Sequence, residues 1–453
     1  MLLKQIAEYA VKEQTSKLPK AVIHHAKRAV VDWYASLLPG SRIAPATLLE
    51  EALADELDHG RARLASGRRA TVRAAALING AASHAVEFDD IWRDAVYHPA
   101  SPVISAALAA AQAQGADGER FLRGVIVGYE VSTRIGDAVM PSHYKFWHTT
   151  GTVGTFGAAA AVATVLCCNR DQFAHALGNA GTFAAGLQQA FRSQAMSKPL
   201  HGGHAAEAGA LAALAAARGV TGVADILEGE VGFGAAMSVN PDWSRATRGL
   251  GSDYHITRIT FKNHGCCGHN FAALDAVLAL KREHRFTHQD VRKVHIATYQ
   301  GGLDIVDNPR PDGDYQARFS IQYTVAHALV HGSVRLNAFA PVRLGDPDVR
   351  ALMQKIECVA DAELSAAFPR QRAARVEIEL ADGRRLAHFQ PTRKGDPELP
   401  LTDAELNDKF LELATPVLGD AKARALLARL WALENERNMG FDLAERTPAR
   451  VAS

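Results

Sequence analysis

The chain has 453 residues, with 50 Lys plus Arg against 49 Asp plus Glu and 48% hydrophobic residues. That length exceeds what one core usually covers and predicts two or more domains. The near-zero net charge provides no field to gather nucleic acid or anionic lipid, so the expected partner is a small molecule, with no nucleic acid and no membrane.

The first residues, Met1 to Glu8, are amphipathic and carry an early acid, unlike a secretory or transit segment. Apolar spacing near 3.6 predicts helices over 3–14, 19–38, 45–57, 70–88, 101–114, 118–136, 150–168, 170–188 and 203–218. Pro39-Gly40, Gly115-Ala116-Asp117-Gly118 and Gly219-Val220-Thr221-Gly222 fall where such helices should stop. The Ala-rich run Gly157 to Cys168 is shorter than the roughly 20 apolar residues a bilayer span needs, and predicts a buried helix. Gly151, Gly154 and Gly157 recur at i, i+3, i+6 and suit close helix approach. A G-x-G-x-x-G after a strand and a Walker lysine are both missing, which disfavours nucleotide binding.

From about residue 250 the period changes to two, over Tyr254–Phe261 and Val291–Thr298, predicting strands. Arg375–Leu380 and Arg384–Phe389 flank Asp382-Gly383, a hairpin signature. Helical patterns at 270–284 and 319–331 sit between the strands. Leu401-Thr402-Asp403-Ala404-Glu405 carries a capping box and opens helices running to about 434. The predicted fold class is therefore mainly α with an α+β second domain. Its parts are a helical body over 1–250, a smaller α+β lid over 251–395, and C-terminal helices over 396–453 that return to the body. A cleft beside the lid is the expected place for a ligand.

The five cysteines include two adjacent pairs, Cys167-Cys168 and Cys266-Cys267. Sequence neighbours rarely meet disulfide geometry, and neither pair has the separated C-x2-C form of zinc and cluster sites. We expect a reducing cytoplasm and no metal. Two segments carry the chemistry: Met196–His204, which reads MSKPLHGGH, and Lys262–His269, which reads KNHGCCGH. Each displays a lysine and histidines on what reads as a Gly- or Pro-broken turn, where cationic and proton-transferring groups are presented to carboxylates.

Further pieces complete a resemblance. They are His84-Ala85-Val86-Glu87-Phe88-Asp89-Asp90 with His98-Pro99, Gly128-Tyr129-Glu130-Val131, Phe146–Gly154, Ser197–Gly203, Phe261-Lys262 with Cys266-Cys267, and Ala317–Tyr323. Taken in order over nearly the whole chain, they resemble the MmgE/PrpD family, which includes 2-methylcitrate dehydratase, cis-aconitate decarboxylase and iminodisuccinate epimerase. The resemblance implies a homodimer of helical bodies with α+β lids that needs no metal or organic cofactor. It implies catalytic roles for His98, His148, Lys198, Lys262 and Tyr323, and substrate contacts from the Glu87–Asp90 segment. Glu87 stands where the resemblance leads us to expect aspartate, Ile91 where it leads us to expect a hydroxyl, and Cys267 where the decarboxylases have histidine.

A carboxylate beside a weakly acidic C–H needs fixed cations for the developing enolate-like charge, a role suited to Lys198 and Lys262. It needs a positioned base and acid, for which His98 and His148 lead. Tyr323 could join them if neighbouring lysines lowered its pKa. Glu87, Asp89 and Asp90 could orient an imidazole or hold a substrate hydroxyl, and His201 and His269 could line the site. The expected activity is cofactor-independent acid–base chemistry on a small di- or tricarboxylate, most simply a hydro-lyase. Epimerisation by proton removal and return is the alternative, and a non-catalytic carboxylate-binding relative is the reading from another class.

Overall fold

The computed structural model describes residues 1–193 and 195–440, which fold as two units. One comprises Met1–Thr260 joined by the segment from Thr402 onward, and the other is Phe261–Leu401.

In the first unit, helix Thr149–Val165 is buried along all 17 of its residues. Its sequence is only Ala, Gly, Val, Thr and one Phe, so no face is marked for solvent, and helices Ala100–Gln114, Gly118–Val139 and Ser197–Ala216 pack around it. The glycines set how closely they approach. A Cβ on Gly154 would lie 2.7 Å from Pro102, and one on Gly157 would lie 2.8 Å from Val103 and 2.7 Å from Ser132. Two of the buried threonines return their hydroxyls to the helix, Thr155 to the Gly151 carbonyl at 2.9 Å and Thr164 to that of Ala160 at 2.8 Å, which satisfies both hydroxyls. Helix Lys20–Gly40 packs between helices Val72–Ala85 and Asp403–Leu418. A short antiparallel pair, β1 Leu57–Arg63 and β2 Arg69–Ala70, borders this unit.

The second unit is built on a four-stranded sheet of β3 Val291–Thr298, β4 Ile356–Ala360, β5 Ala374–Leu380 and β6 Arg385–Gln390, in the order β4-β3-β5-β6. β3 runs parallel to β4 and antiparallel to β5, which pairs antiparallel with β6. Val294 and Ile296 of β3 and Val376 and Ile378 of β5 turn inward, the alternation that period two requires. They join helices Phe271–His284 and Ile321–His331 in one core. Gly383 closes the hairpin at φ 86°, a conformation that side chains resist.

Several boundaries differ from the sequence reading. Tyr254–Phe261 is not a strand; it holds a 3-10 turn, His255–Arg258, and only Thr260 bridges, to Ile91. Side chains of helix Gly118–Val139 engage this stretch instead: Ile256 N donates to Glu130 Oε1 at 3.0 Å, and Arg134 Nη1 meets His255 Nε2 at 2.6 Å. The helix expected over 45–57 stops at Ala52 before β1, and that expected over 170–188 stops at Phe183. The helix expected from 203 begins at Ser197, because proline is tolerated in a first helical turn. Among the described residues, no helix is long and apolar enough to cross a membrane.

Candidate active site

Helix Ser197–Ala216 crosses helix Val72–Ala85 where side chains are nearly absent. A Cβ on Gly203 would lie 2.4 Å from the Leu77 carbonyl oxygen, and one on Gly80 would lie 2.8 Å from the Gly203 Cα. This crossing sets the first turn of one helix, with Lys198 and His201, beside the last turn of the other, with His84. The chain after His84 then carries Glu87, Asp89, Asp90 and His98 past the same place. His148 is the residue preceding the buried helix Thr149–Val165, whose N-terminus joins the group. Glu87, Asp89, His98, His148, Lys198 and His201 thus lie together within the first unit.

Lys198 Nζ is ion-paired with Glu87, both side chains being about one-seventh exposed. Burial opposes the Lys198 charge, but the Glu87 carboxylate overcomes that and raises its pKa above the ordinary lysine value. Glu87 adopts φ 58°, in the left-handed region, a conformation that costs an L-residue energy. Lys198 Nζ also lies 5.5 Å from the centroid of the Phe191 ring.

His148 Nδ1 and His201 Nδ1 are 3.0 Å apart. One ring must donate and the other accept, so the two hold opposite tautomers, and the pair presents one Nε2 lone pair and one Nε2–H. Burial, then the neighbouring His84 and Lys198 charges, hold His148 well below the ordinary histidine pKa. The helix N-terminus disfavours a cation there as well. His201 is lowered to about 4 by burial and by His84. Both rings are therefore neutral near pH 7, and one of them keeps an Nε2 lone pair able to accept.

Asp89 is fully buried, with Oδ2 2.7 Å from His84 Nδ1 and 3.4 Å from His98 Nδ1. Burial alone would raise its pKa, yet the charges of His84 and His98 hold the carboxyl well below the usual range. The His84 ring also stacks on His148, with centroids 5.7 Å apart at 18°, and tilts against His98 at 4.8 Å. Candidate ligand atoms of His84, Asp89 and His98 all lie within 4.8 Å of one another. The 2.7 Å contact is nevertheless shorter than the roughly 3.4 Å between ligands on a tetrahedral zinc with bonds of about 2.0–2.2 Å. The spacing is that of a hydrogen-bonded chain rather than a coordination shell.

The remaining expected residues have other surroundings. Asp90 accepts the Ala100 N–H at 3.0 Å on Oδ1 and the Tyr129 hydroxyl at 2.7 Å on Oδ2. It is committed to holding the start of helix Ala100–Gln114 rather than to a substrate. Tyr323, in the second unit, is a core residue whose hydroxyl donates to the Ala338 carbonyl at 2.5 Å. Burial pushes it up to about 12, the reverse of the lowered phenol expected from nearby lysines. His269 Nδ1 meets the Tyr299 hydroxyl at 2.7 Å, and burial with Arg372 and Arg393 lowers it to about 3. Lys262 is a buried residue at the start of the second unit, and Cys266 packs in that unit's core with its thiol pKa raised by burial. The sequence reading missed His84. Its signal was the spacing of five residues to Asp89, at a helix end where the chain can fold back.

Residues 4–246 match the family model of the MmgE/PrpD N-terminal domain, and residues 264–433 that of the MmgE/PrpD C-terminal domain. A cis-aconitate decarboxylase-like protein of Aspergillus oryzae is 27% identical over 466 residues, covering 97% of this chain and 96% of that protein. Cis-aconitate decarboxylase of Homo sapiens is 27% identical over 372 residues, covering 80% and 76%. The mitochondrial 2-methylcitrate dehydratase of Yarrowia lipolytica is 26% identical over 346 residues, covering 69% and 66%.

Proposed function

We propose that this chain, which belongs to the MmgE/PrpD family, is an acid–base enzyme acting on a small polycarboxylate, and more narrowly a hydro-lyase resembling 2-methylcitrate dehydratase. The observation that carries the reading is the neutral His148–His201 pair set beside a charged Lys198 and a His98 backed by an ionised Asp89. Water loss from a hydroxy acid needs three services, and this group can supply each.

A neutral imidazole of the pair takes the C–H proton, general-base assistance typically contributing about 10²–10⁴-fold. The Lys198 ammonium stabilises the charge that develops on the adjoining carboxylate; loss of one such preorganised donor costs on the order of 10²–10³ in rate. His98 delivers a proton to the departing hydroxide, since an ionised carboxylate stabilises the imidazolium form beside it. Glu87 meanwhile holds the ammonium in place until a substrate carboxylate arrives.

Decarboxylation is the second reading, supported by the names of the relatives with the greatest coverage. The same cation and proton donor would serve loss of carbon dioxide followed by protonation at carbon. Proton NMR in deuterated water, with 2-methylcitrate, citrate, cis-aconitate and iminodisuccinate each supplied, separates the reactions. Water loss supports the hydro-lyase, carbon dioxide loss replaces it with the decarboxylase, and α-hydrogen exchange without either marks an epimerase. Lys198→Ala and His148→Ala should each lower turnover at least 100-fold. If both leave turnover of every polyacid unchanged, catalysis at this place is ruled out.

A further inference from the structure

His84 is the hub of the cluster, yet the roles assigned so far do not use it. Its side chain is fully buried in the last turn of helix Val72–Ala85. Its ring touches both imidazoles given a proton-transfer role, stacking on His148 and tilting against His98. Gly202 of helix Ser197–Ala216 lies beside it, where an added Cβ would come 3.7 Å from the His84 Cβ. Nδ1 engages Asp89 Oδ2 at 2.7 Å, while Nε2, also buried, has no hydrogen-bond partner among the described residues. An ionised carboxylate can only accept, so His84 must carry its hydrogen on Nδ1 and donate.

The same Oδ2 is the oxygen nearest His98 Nδ1, at 3.4 Å. Asp89 Oδ1 is buried without a hydrogen-bond partner among the described residues, so nothing at that oxygen fixes the rotation of the carboxylate. The His84 bond does. Catalytic hydrogen bonds are often long in a resting site and tighten with substrate, so a 3.4 Å separation is short enough for the bond to form there.

We propose that His84 is a positioning residue. By donating Nδ1–H to Asp89 it aims the carboxylate at His98 Nδ1, keeps a hydrogen on that nitrogen, and so directs every proton that His98 gives or takes through Nε2. This rests on the acid–base reading above and deepens it by naming what sets the tautomer. The other charged and titratable groups near the cluster include Glu87 and Asp90 on the same connecting segment, His148 at the start of its helix, Lys198 and His201 on helix Ser197–Ala216, and Tyr144. None of them is hydrogen-bonded to Asp89 Oδ2 in the way His84 is.

The test compares three substitutions in the full-length protein. H84L removes the donor, H84N keeps an N–H where Nδ1 stood, and H84Q places one where Nε2 stood. ¹⁵N NMR of histidine-labelled protein without substrate, above the ordinary histidine pKa, reports which nitrogen of His98 carries the hydrogen. We expect Nδ1–H in the parent and in H84N, and a mixture of tautomers in H84L and H84Q. With the substrate identified by the NMR screen, kcat should fall about 100-fold in H84L and H84Q, with KM changing less than threefold. H84N should recover at least tenfold of that loss, a rescue that a merely space-filling role would not give. An unchanged His98 tautomer in H84L and H84Q overturns the proposal, as does equal activity of H84Q and H84N, which remains decisive should H84L not fold. The tautomer readout needs no substrate, so the shift persisting in a protein without polyacid turnover would reject the reaction assignment and leave the positioning role standing.

Discussion

Lys409 enters the first unit from helix Asp403–Leu418 and meets Asp32, 377 residues earlier in the chain, with both side chains wholly buried. Its Nζ lies 2.6 Å from Asp32 Oδ1 and 2.7 Å from the Phe88 carbonyl oxygen, and 4.3 Å from the centroid of the Phe88 ring. We expect Lys409→Met to destabilise this unit strongly. Methionine retains most of the stem volume, so the cavity contribution is small and the loss is electrostatic. Removing one member of a buried pair typically costs about 3–5 kcal/mol. The charged hydrogen bond to Phe88 and the ring contact belong to the same network and are not added separately. All five tryptophans, Trp33, Trp92, Trp147, Trp243 and Trp431, belong to the first unit, so urea unfolding followed by tryptophan fluorescence reports on it alone. The double variant D32N/K409M should recover most of the loss, because a neutral pair can be buried without the charge penalty. A loss below about 1 kcal/mol in K409M, or a double variant no more stable than the single, would refute the argument.

Glu87→Gln removes the charge that raises the Lys198 pKa. Stability from a raised lysine is complete below its unfolded value of about 10.4 and is lost as pH rises through the folded one. Without Glu87 burial lowers the Lys198 pKa, so the stability gap between parent and E87Q in urea titrations should be widest at neutral pH, narrow as the variant's lysine loses its proton, and close above about 10.5. Gly203→Ala forces a Cβ to 2.4 Å from the Leu77 backbone oxygen, and denaturant unfolding should show a loss of about 1–3 kcal/mol. Burial lowers His25, His143 and His201 to about 4 and His255 to about 3, and holds His148 below its ordinary range. Each binds fewer protons folded than unfolded, so stability falls as pH drops from 6.5 towards 4. Glu130 and Asp137, raised to about 7 by burial, and Asp90, also raised by burial, act in the opposite direction. Five imidazoles outweigh three carboxyls, so the fluorescence-monitored Tm should decline over that window; a flat or rising Tm would contradict the assignment. Exposed Phe146, Leu187 and Met196 accord with a second copy covering part of the first unit, and sedimentation at micromolar concentration should give a dimer.

The helical body was legible because its period is long and its stops are marked by Gly and Pro. The buried helix Thr149–Val165 was readable from small residues alone, since close approach needs them whatever the partner. Tyr254–Phe261 was misread because alternation measures burial and not pairing, and Glu130 and Arg134, more than 100 residues away, claim its polar groups. Lys198 was assigned to a turn since Pro199 resembles a break, although a proline in the first turn costs no hydrogen bond. Most of the acidic segment was visible as a string of carboxylates. Which of them faces an imidazole and which holds the fold depends on Tyr129, Ala100 and His84, whose approach is a tertiary fact. The lowered pKa expected for Tyr323 is reversed, for burial pushes this phenol up and its hydroxyl already has a backbone partner.

The Asp32–Lys409 clasp has a consequence for biosynthesis. At roughly 5–20 residues per second, the 377 residues separating the two take about 20–75 s to emerge from a ribosome. Throughout that interval Asp32 has no Lys409 to meet, and the Phe88 carbonyl between Glu87 and Asp89 has no clamp from that side chain. A nascent chain can assemble its early helices, but the candidate site is clamped by this contact only after Lys409 has emerged. Prematurely terminated products should therefore be inert and easily cleared rather than partly active.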